Sequence, residues 1–262
     1  MSILDEIFAH KRIEVAARRQ RIPLAEMRRL AETAAPPQNF LVALHQSQAQ
    51  PALIAEVKKA SPSKGLLAPH FNHLALAQSY RDNGAAAISI LTDERYFQGH
   101  LDYLRDIAAL EKRPPLLRKD FLADPYQLYE ARAAGADAIL LIAASLDAPQ
   151  LRDLHALAGE LGMTPLVEVH NEAELEVALT CDPVLLGVNN RDLHTFTVSL
   201  ETTRRLRPFI PPAITVVAES GIHTPADVAA LRGMGVHAML IGEALVTAAD
   251  TGAKVRELIR KP

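Results

Sequence analysis

The sequence predicts an α/β fold, a (β/α)8 (TIM) barrel preceded by an N-terminal helical extension of about 45 residues. Three observations carry this. From residue 53 onward one unit recurs: an amphipathic helix, a glycine, two or three residues, then an apolar strand, as in "NGAAAISIL", "AGADAILLI", "LGMTPLVEV" and "MGVHAMLIG". Eight such strands follow one another at intervals of roughly 20–30 residues, the length of a βα unit. They are apolar on both faces, as parallel strands covered by helices must be. An open doubly wound sheet is the alternative; no G-x-G-x-x-G follows the first strand, which counts against a dinucleotide fold.

In chain order, Ile3, Leu4, Ile7 and Phe8 follow helical spacing, and Pro23 opens a second helix through Leu24, Met27 and Leu30. "AAPPQ" (34–38) is a rigid connector. Residues 1–50 thus form the extension, read either as a plug over one barrel end or as a lid over a ligand. Strands are expected near 53–57, 87–91, 115–118, 137–142, 165–169, 184–188, 214–218 and 237–241. Helices are expected over 73–83, 100–111, 125–134, 147–161, 171–180, 199–207 and 224–233. Gly84, Gly135, Gly162 and Gly235 fall where helices end, in position for left-handed caps. No internal boundary divides the chain, so residues 1–262 are read as one domain.

A net charge of −3 gives no electrostatic argument for nucleic acid or an anionic membrane. The pairs Arg18–Arg19, Arg28–Arg29 and Arg204–Arg205 read as solvated helix faces. Cys181 is the sole cysteine, so no intrachain disulfide forms, and without a basic neighbour its thiol is inert. "MSILDEIFAHKR" carries charges where a signal peptide needs an apolar run, and no stretch is long enough to span a bilayer. These features predict a cytoplasmic protein, a monomer or weak homo-oligomer, with neither nucleic acid nor membrane as partner.

In such a barrel the active site forms where the C-terminal strand ends converge. "LIAEVKKASPSKG" puts Glu56 and Lys58 on the face shared with Ile54. "LLRKDF" gives Lys119, "PLVEVH" Glu168, "LLGVNNRDL" Asn189 and Arg191, and "TVVAESGI" Glu219 and Ser220. Unpaired buried charge is costly, so groups gathered in one mouth must be paired, ligand-engaged or catalytic. Gly221 and Gly242 follow strands seven and eight, the usual phosphate position, and Ser61, Ser63 and Lys58 add hydroxyls and charge after strand one. The ten histidines form no metal-binding spacing, and His170 follows Glu168 by two residues without an orienting pattern.

The strings "IAEVKKASPSKG", "ILTDERYFQG", "LLRKDF", "VEVH", "GVNNRDL", "VAESGI" and "LIGEAL", in this order along nearly the whole chain, strongly resemble the indole-3-glycerol phosphate synthase family of tryptophan biosynthesis. The resemblance implies a (β/α)8 carboxy-lyase that converts 1-(2-carboxyphenylamino)-1-deoxyribulose 5-phosphate into indole-3-glycerol phosphate, carbon dioxide and water. It implies no metal and no organic cofactor. It makes Lys119 the general acid of ring closure, with Glu168 and Glu56 as carboxylate partners. Lys58 would contact the substrate phosphate or carboxylate and take part in dehydration. Asn189 and Arg191 would hold substrate hydroxyl and carboxylate. Ser61, Glu219, Ser220, Gly221, Gly242 and Glu243 match phosphate and substrate positions, with Ser220 counted among the catalytic set. Phe97, Phe121 and Leu193 would wall the aromatic ring.

That chemistry needs a positioned acid for the oxyanion formed at ring closure, then an acid and a base for dehydration. Lys119 is expected to act with a pKa lowered by burial and by Lys58, and Glu168 to serve the dehydration. With no tryptophan in the chain, Phe8, Phe40, Phe97 and Phe121 are expected to supply aromatic surface. Two other readings remain: a class I aldolase-type barrel forming a Schiff base through Lys119, and a catalytically silent barrel that binds a phosphorylated metabolite.

Overall fold

Side-chain alternation along parallel strands decides what fills this protein and where its charges surface. The computed structural model describes residues 3–192 and 195–260. Among them, eight parallel strands close into a barrel: β1 (Ala52–Val57), β2 (Ala87–Leu91), β3 (Leu116–Lys119), β4 (Ala138–Ile142), β5 (Thr164–Val169), β6 (Leu185–Asn189), β7 (Thr215–Glu219) and β8 (Ala238–Ile241). Each pairs with its neighbours in sequence, and β1 closes the ring on β8 through Ala52 opposite Ala238. Three strands run one residue further than expected because their last residues still pair: Leu91 with Lys119, and Asn189 with Glu219. Lys119, Asn189 and Glu219 are therefore held by the sheet, not by loops.

Three helices precede the barrel, α1 (Ile3–Arg21), α2 (Leu24–Thr33) and α3 (Phe40–His45). The outer ring is α4 (His73–Asp82), α5 (Leu101–Ala108), α6 (Pro125–Ala133), α7 (Ala148–Glu160), α8 (Glu172–Leu179), α9 (Glu201–Leu206) and α10 (Pro225–Gly233). Two short helices, α11 (Glu243–Val246) and α12 (Thr251–Ile259), complete it after β8. Side-chain caps fix the starts: Asp124 and Thr224 form capping boxes, each followed by a proline in the first turn. Helix ends fall on the expected glycines. At Gly135 a φ of +89° and a Cβ that would lie 2.6 Å from that of Ala108 leave room for no other residue. Pro23 stands at the N-cap of α2 rather than inside it.

Outward residues of the strands pack against the helices, whereas Ala52, Ile54, Leu117, Leu140, Leu166, Leu185, Val217 and Leu240 fill the barrel axis. Phe40 and Leu44 of α3 join this inner core at the strand starts. The extension thus does both jobs expected of it, through different helices: α3 plugs the N-terminal end, and α1 lies over the opposite mouth. Phe40 belongs to the plug and is fully buried there, so it lends no aromatic surface to the mouth.

A buried ion network fastens α1. Ile7, Phe8, Lys11 and Val15 form its buried stripe, so a lysine sits on an apolar face. Lys11 Nζ lies 2.7 Å from Asp93, 2.9 Å from Asp120 and 2.8 Å from Glu14. Arg118, fully buried on the outer face of β3, pairs with Asp120 (3.1 Å) and Glu130 (2.9 Å). Arg18 reaches the same Glu130 oxygen at 2.8 Å, so it is no solvated residue as its sequence pairing implied; Arg29, Arg204 and Arg205 do sit on exposed faces. Burial alone would lower the Lys11 pKa, but Asp120 and Asp93 outweigh it and hold the ammonium well above the usual range. Lys11→Met leaves Asp93 buried without its cation and Asp120 with Arg118 alone, and should cost about 3 kcal/mol, read as a lowered midpoint in urea unfolding with early proteolysis of α1.

Candidate active site

The inward positions of the strands change from apolar to polar at one level. Directly above Ile54, Leu117, Leu166 and Val217 stand Glu56, Lys119, Glu168 and Glu219. This is the period-two rule carried one step beyond the core. The four groups border a cavity of about 410 Å³ at the C-terminal strand ends. The same cavity is lined by Lys58, Ser61, Phe97, Phe121, Asn189, Arg191, Ser220, Gly221, Gly242 and Glu243. Sequence reasoning thus brings fourteen residues to one place; Leu193 lies outside the described residues. Ile3, Leu4 and Ile7 of α1 roof the cavity.

Lys119 is the hub. Its Nζ donates to Glu219 Oε2 at 2.7 Å and lies 3.5 Å from Glu168 Oε2. Across the mouth Lys58 pairs with Glu56 at 2.8 Å. The expected lowering of the Lys119 pKa is reversed. Burial works in that direction, but Glu219, Glu168 and Glu56 outweigh it and hold the ammonium far above its ordinary range. The two carboxyls beside it are driven apart. Burial and the nearby Glu168 charge push Glu219 up to about 7 despite Lys119. Burial would raise Glu168 too, yet Lys119 and His170 together hold it well below the usual carboxylate range. One carboxyl that readily takes up a proton and one that stays ionised therefore flank one ammonium.

Two glycines make room for this. A Cβ on Gly187 would run into Glu219 Oε1, and one on Gly242 into Glu56 Oε2, 3.1 Å from Lys58 Nζ. Beside them Asn190, buried, donates to the Glu219 and Ser220 carbonyls and accepts from Thr203, tying β6, β7 and α9 together. Ser220 and Gly221 follow with φ of +65° and +77°, which turns the chain sharply above β7. Asn189 Oδ1 accepts from the Arg191 amide at 3.0 Å. Lys64, opposite on the loop after β1, pairs with Glu243. Phe121 forms the apolar wall, 6.0 Å from Phe97 and edge-on to Phe8 at 5.7 Å. Phe8 thereby backs the wall from α1.

Sequence reasoning missed several groups that shape this site, Lys11, Asp93, Arg118 and Asp120 beneath α1 and Glu174 behind Glu168; it named His170 but found no orienting pattern, which Glu174 supplies. Their signals were present. Arg118 falls on a strand's helix-covered face, and Lys11 on an apolar helix stripe; either position requires a buried partner. Among the described residues, no three His, Cys, Asp or Glu side chains converge to hold a metal ion, and no helix is long and apolar enough to cross a membrane.

Fold and site together define an acid–base enzyme of the (β/α)8 class, its proton-transfer groups carried by strand ends. The chain belongs to the indole-3-glycerol phosphate synthase family, whose model matches residues 4–258. An indole-3-glycerol phosphate synthase of Roseiflexus castenholzii is 57% identical over 98% of both chains. One from Dehalococcoides mccartyi is 48% identical over 98% of this chain and all of its own length. Among solved structures, 3-hexulose-6-phosphate synthase from Salmonella typhimurium superimposes with a TM-score of 0.65 at 13% identity, over 80% of this chain and 97% of that one. A tryptophan synthase chain from Pyrococcus furiosus gives 0.59 at 16% identity, over 80% and 98%. At such identities these two likenesses show the barrel alone.

Gly242→Ala should displace the Glu56 carboxylate and lower kcat at least about 10-fold, with the thermal midpoint little changed. Steady-state kinetics checks this: a raised KM at full kcat would confine Gly242 to binding.

Proposed function

We propose that this chain catalyses ring closure, decarboxylation and dehydration of 1-(2-carboxyphenylamino)-1-deoxyribulose 5-phosphate to indole-3-glycerol phosphate, in tryptophan biosynthesis. The observation that carries the reading is the Lys119 ammonium, seated between Glu219 and Glu168 in the same cavity as the Phe97–Phe121 wall.

The substrate phosphate sits at the turns after β7 and β8, Ser220–Gly221 and Gly242, with Ser61 and Lys58 facing them from β1. Its aromatic ring lies on Phe121 and Phe97, and Arg191 and Asn189 engage carboxylate and hydroxyl. The ring carbon bearing the carboxylate attacks the ketone carbon. The carbonyl π pair moves to oxygen, which takes a proton from Lys119. A lysine with a raised pKa remains fully protonated at neutral pH and is still more acidic than the alcohol that the alkoxide becomes, so the transfer runs downhill. The carbon–carboxylate bond then breaks, carbon dioxide leaves, and its electron pair restores the aromatic ring. The new hydroxyl departs as water with a proton from a neutral carboxyl, and a carboxylate removes the ring hydrogen to complete the indole. Glu219, raised toward neutrality, takes the acid half; Glu168, held ionised, takes the base half. From the sequence the dehydration falls on Glu168 with a part for Lys58; here Glu219 shares it with Glu168.

A Schiff base at Lys119 needs its free amine, which the surrounding carboxylates keep charged. Purified protein with substrate should therefore show indole fluorescence rising with time, unchanged by EDTA, and borohydride should leave no adduct on Lys119. Lys119→Met should lower kcat by at least about 10²-fold while circular dichroism stays that of the folded barrel. Full turnover in that variant would remove Lys119 from the acid role.

A further inference from the structure

His170 follows β5 and returns to the side of the strand that carries Glu168. It is largely buried and does not border the cavity. Its Nδ1 lies 2.9 Å from Glu174 Oε2, and its backbone N–H donates to that same oxygen at 2.8 Å. The other Glu174 oxygen accepts from Asn171 Nδ2 at 2.6 Å, and Asn171 Oδ1 caps α8 by accepting from the Glu174 amide. Glu174 is thus fixed from three sides. On the far side of the imidazole, Nε2 stands 3.4 Å from Glu168 Oε1, within ion-pair range, and has no closer hydrogen-bond partner among the described residues. The charged groups facing the ring are Glu168 from β5 and Glu174 from α8; Lys119 from β3 and Asn189 from β6 lie beyond, on Glu168.

Resting on the reading above, we propose that His170 is a positioning residue, an imidazolium clamped by Glu174 that keeps Glu168 ionised and aimed at the substrate. Lys119 does not serve Glu168 alone: it lies closer to Glu219 (2.7 Å) than to Glu168 (3.5 Å). Glu56, Glu168 and Glu219 gather three carboxyls around two ammonium groups. A third cation on the outer side of Glu168 decides which carboxyl stays charged and which takes the proton. Burial works against the imidazolium, but its hydrogen bonds and the charges of Glu168 and Glu174 prevail, raising its pKa to about 10. The sign follows. The stability this clamp adds is fully present below the ordinary histidine range, near pH 6.5, and is lost as pH rises through about 10.

The test uses nitrogen-15 NMR of the imidazoles in the ligand-free protein together with pH–rate profiles of Glu174→Gln and His170→Asn. Glu174→Gln keeps an acceptor for Nδ1 and removes the charge. In the wild type both ring nitrogens should carry protons through pH 8, and in Glu174→Gln the ring should titrate nearer neutrality. That variant's kcat should then fall with rising pH by about 10-fold across the new titration, a limb absent from the wild type, with KM within about 2-fold. His170→Asn should lose about 10-fold or more in kcat at all pH values. A neutral His170 at pH 7 in the wild type overturns the proposal. So does a Glu174→Gln profile that superimposes on the wild type's while NMR shows the ring deprotonated. Should no variant or wild type form indole, the synthase reading fails instead, and the imidazole spectra still report whether the clamp is charged.

Discussion

One ammonium in a closed barrel sets the terms for everything around it. Lys119 stands at the end of β3, largely buried between α1 above and the apolar axis below. A buried cation must be matched, and Glu219, Glu168 and Glu56 match it with a charge to spare. The surplus is what makes the site chemically useful. A cluster in perfect balance would hold every carboxyl ionised and offer no carboxylic acid. With three carboxyls around two lysines, and the His170 ring matched by Glu174 of its own, protonation of one carboxyl relieves the excess. Burial selects Glu219 for that part, and the imidazole side of Glu168 keeps its neighbour charged.

Much of this was legible in the sequence, and for one reason: the period of two along a strand carries the same information in the core and at the mouth. Once Ile54 is assigned inward, Glu56 must follow it; once Leu117 is inward, so is Lys119. Short local strings therefore named the cavity's residues although the cavity joins all eight strands. What did not transfer was the sign of the interactions. Lys119 read alone, with Lys58 assumed nearby, calls for a lowered pKa. The actual neighbours, Glu219 at a separation of 100 residues and Glu168, reverse it. Proximity between distant strands is fixed by closure of the barrel, and no local pattern reports it.

The extension shows the same limit in another form. Helical spacing found α1 and α2, yet one apolar stripe cannot say which end of a barrel it covers. From the sequence Phe40 is expected to supply aromatic surface in a chain without tryptophan; it plugs the base because α3 packs against the first residues of β1. Arg18 looked like solvent-facing charge because its partner Glu130 is 112 residues away.

The outer face of β3 links these two halves of the molecule. Within "LLRKD", Lys119 points into the barrel, Arg118 points out beneath α6, and Asp120 turns upward to Lys11 of α1. The residues on either side of Lys119 are thus the ones that hold the roof. Thr92 adds a hydrogen bond to Asp120 at 2.6 Å, and Arg118 donates to Thr92, so the top of β2 is bound into the same array. Charged groups of this kind contribute little net stability compared with apolar packing of equal volume. Their value lies in direction: they admit one placement of α1, the placement in which Ile3, Leu4 and Ile7 cover the cavity and Phe8 meets Phe121. That roof limits water around the lysine and lowers the local dielectric, and burial in turn separates the protonation states of Glu219 and Glu168. The lock outside β3 and the acid inside it are two sides of the same four-residue strand.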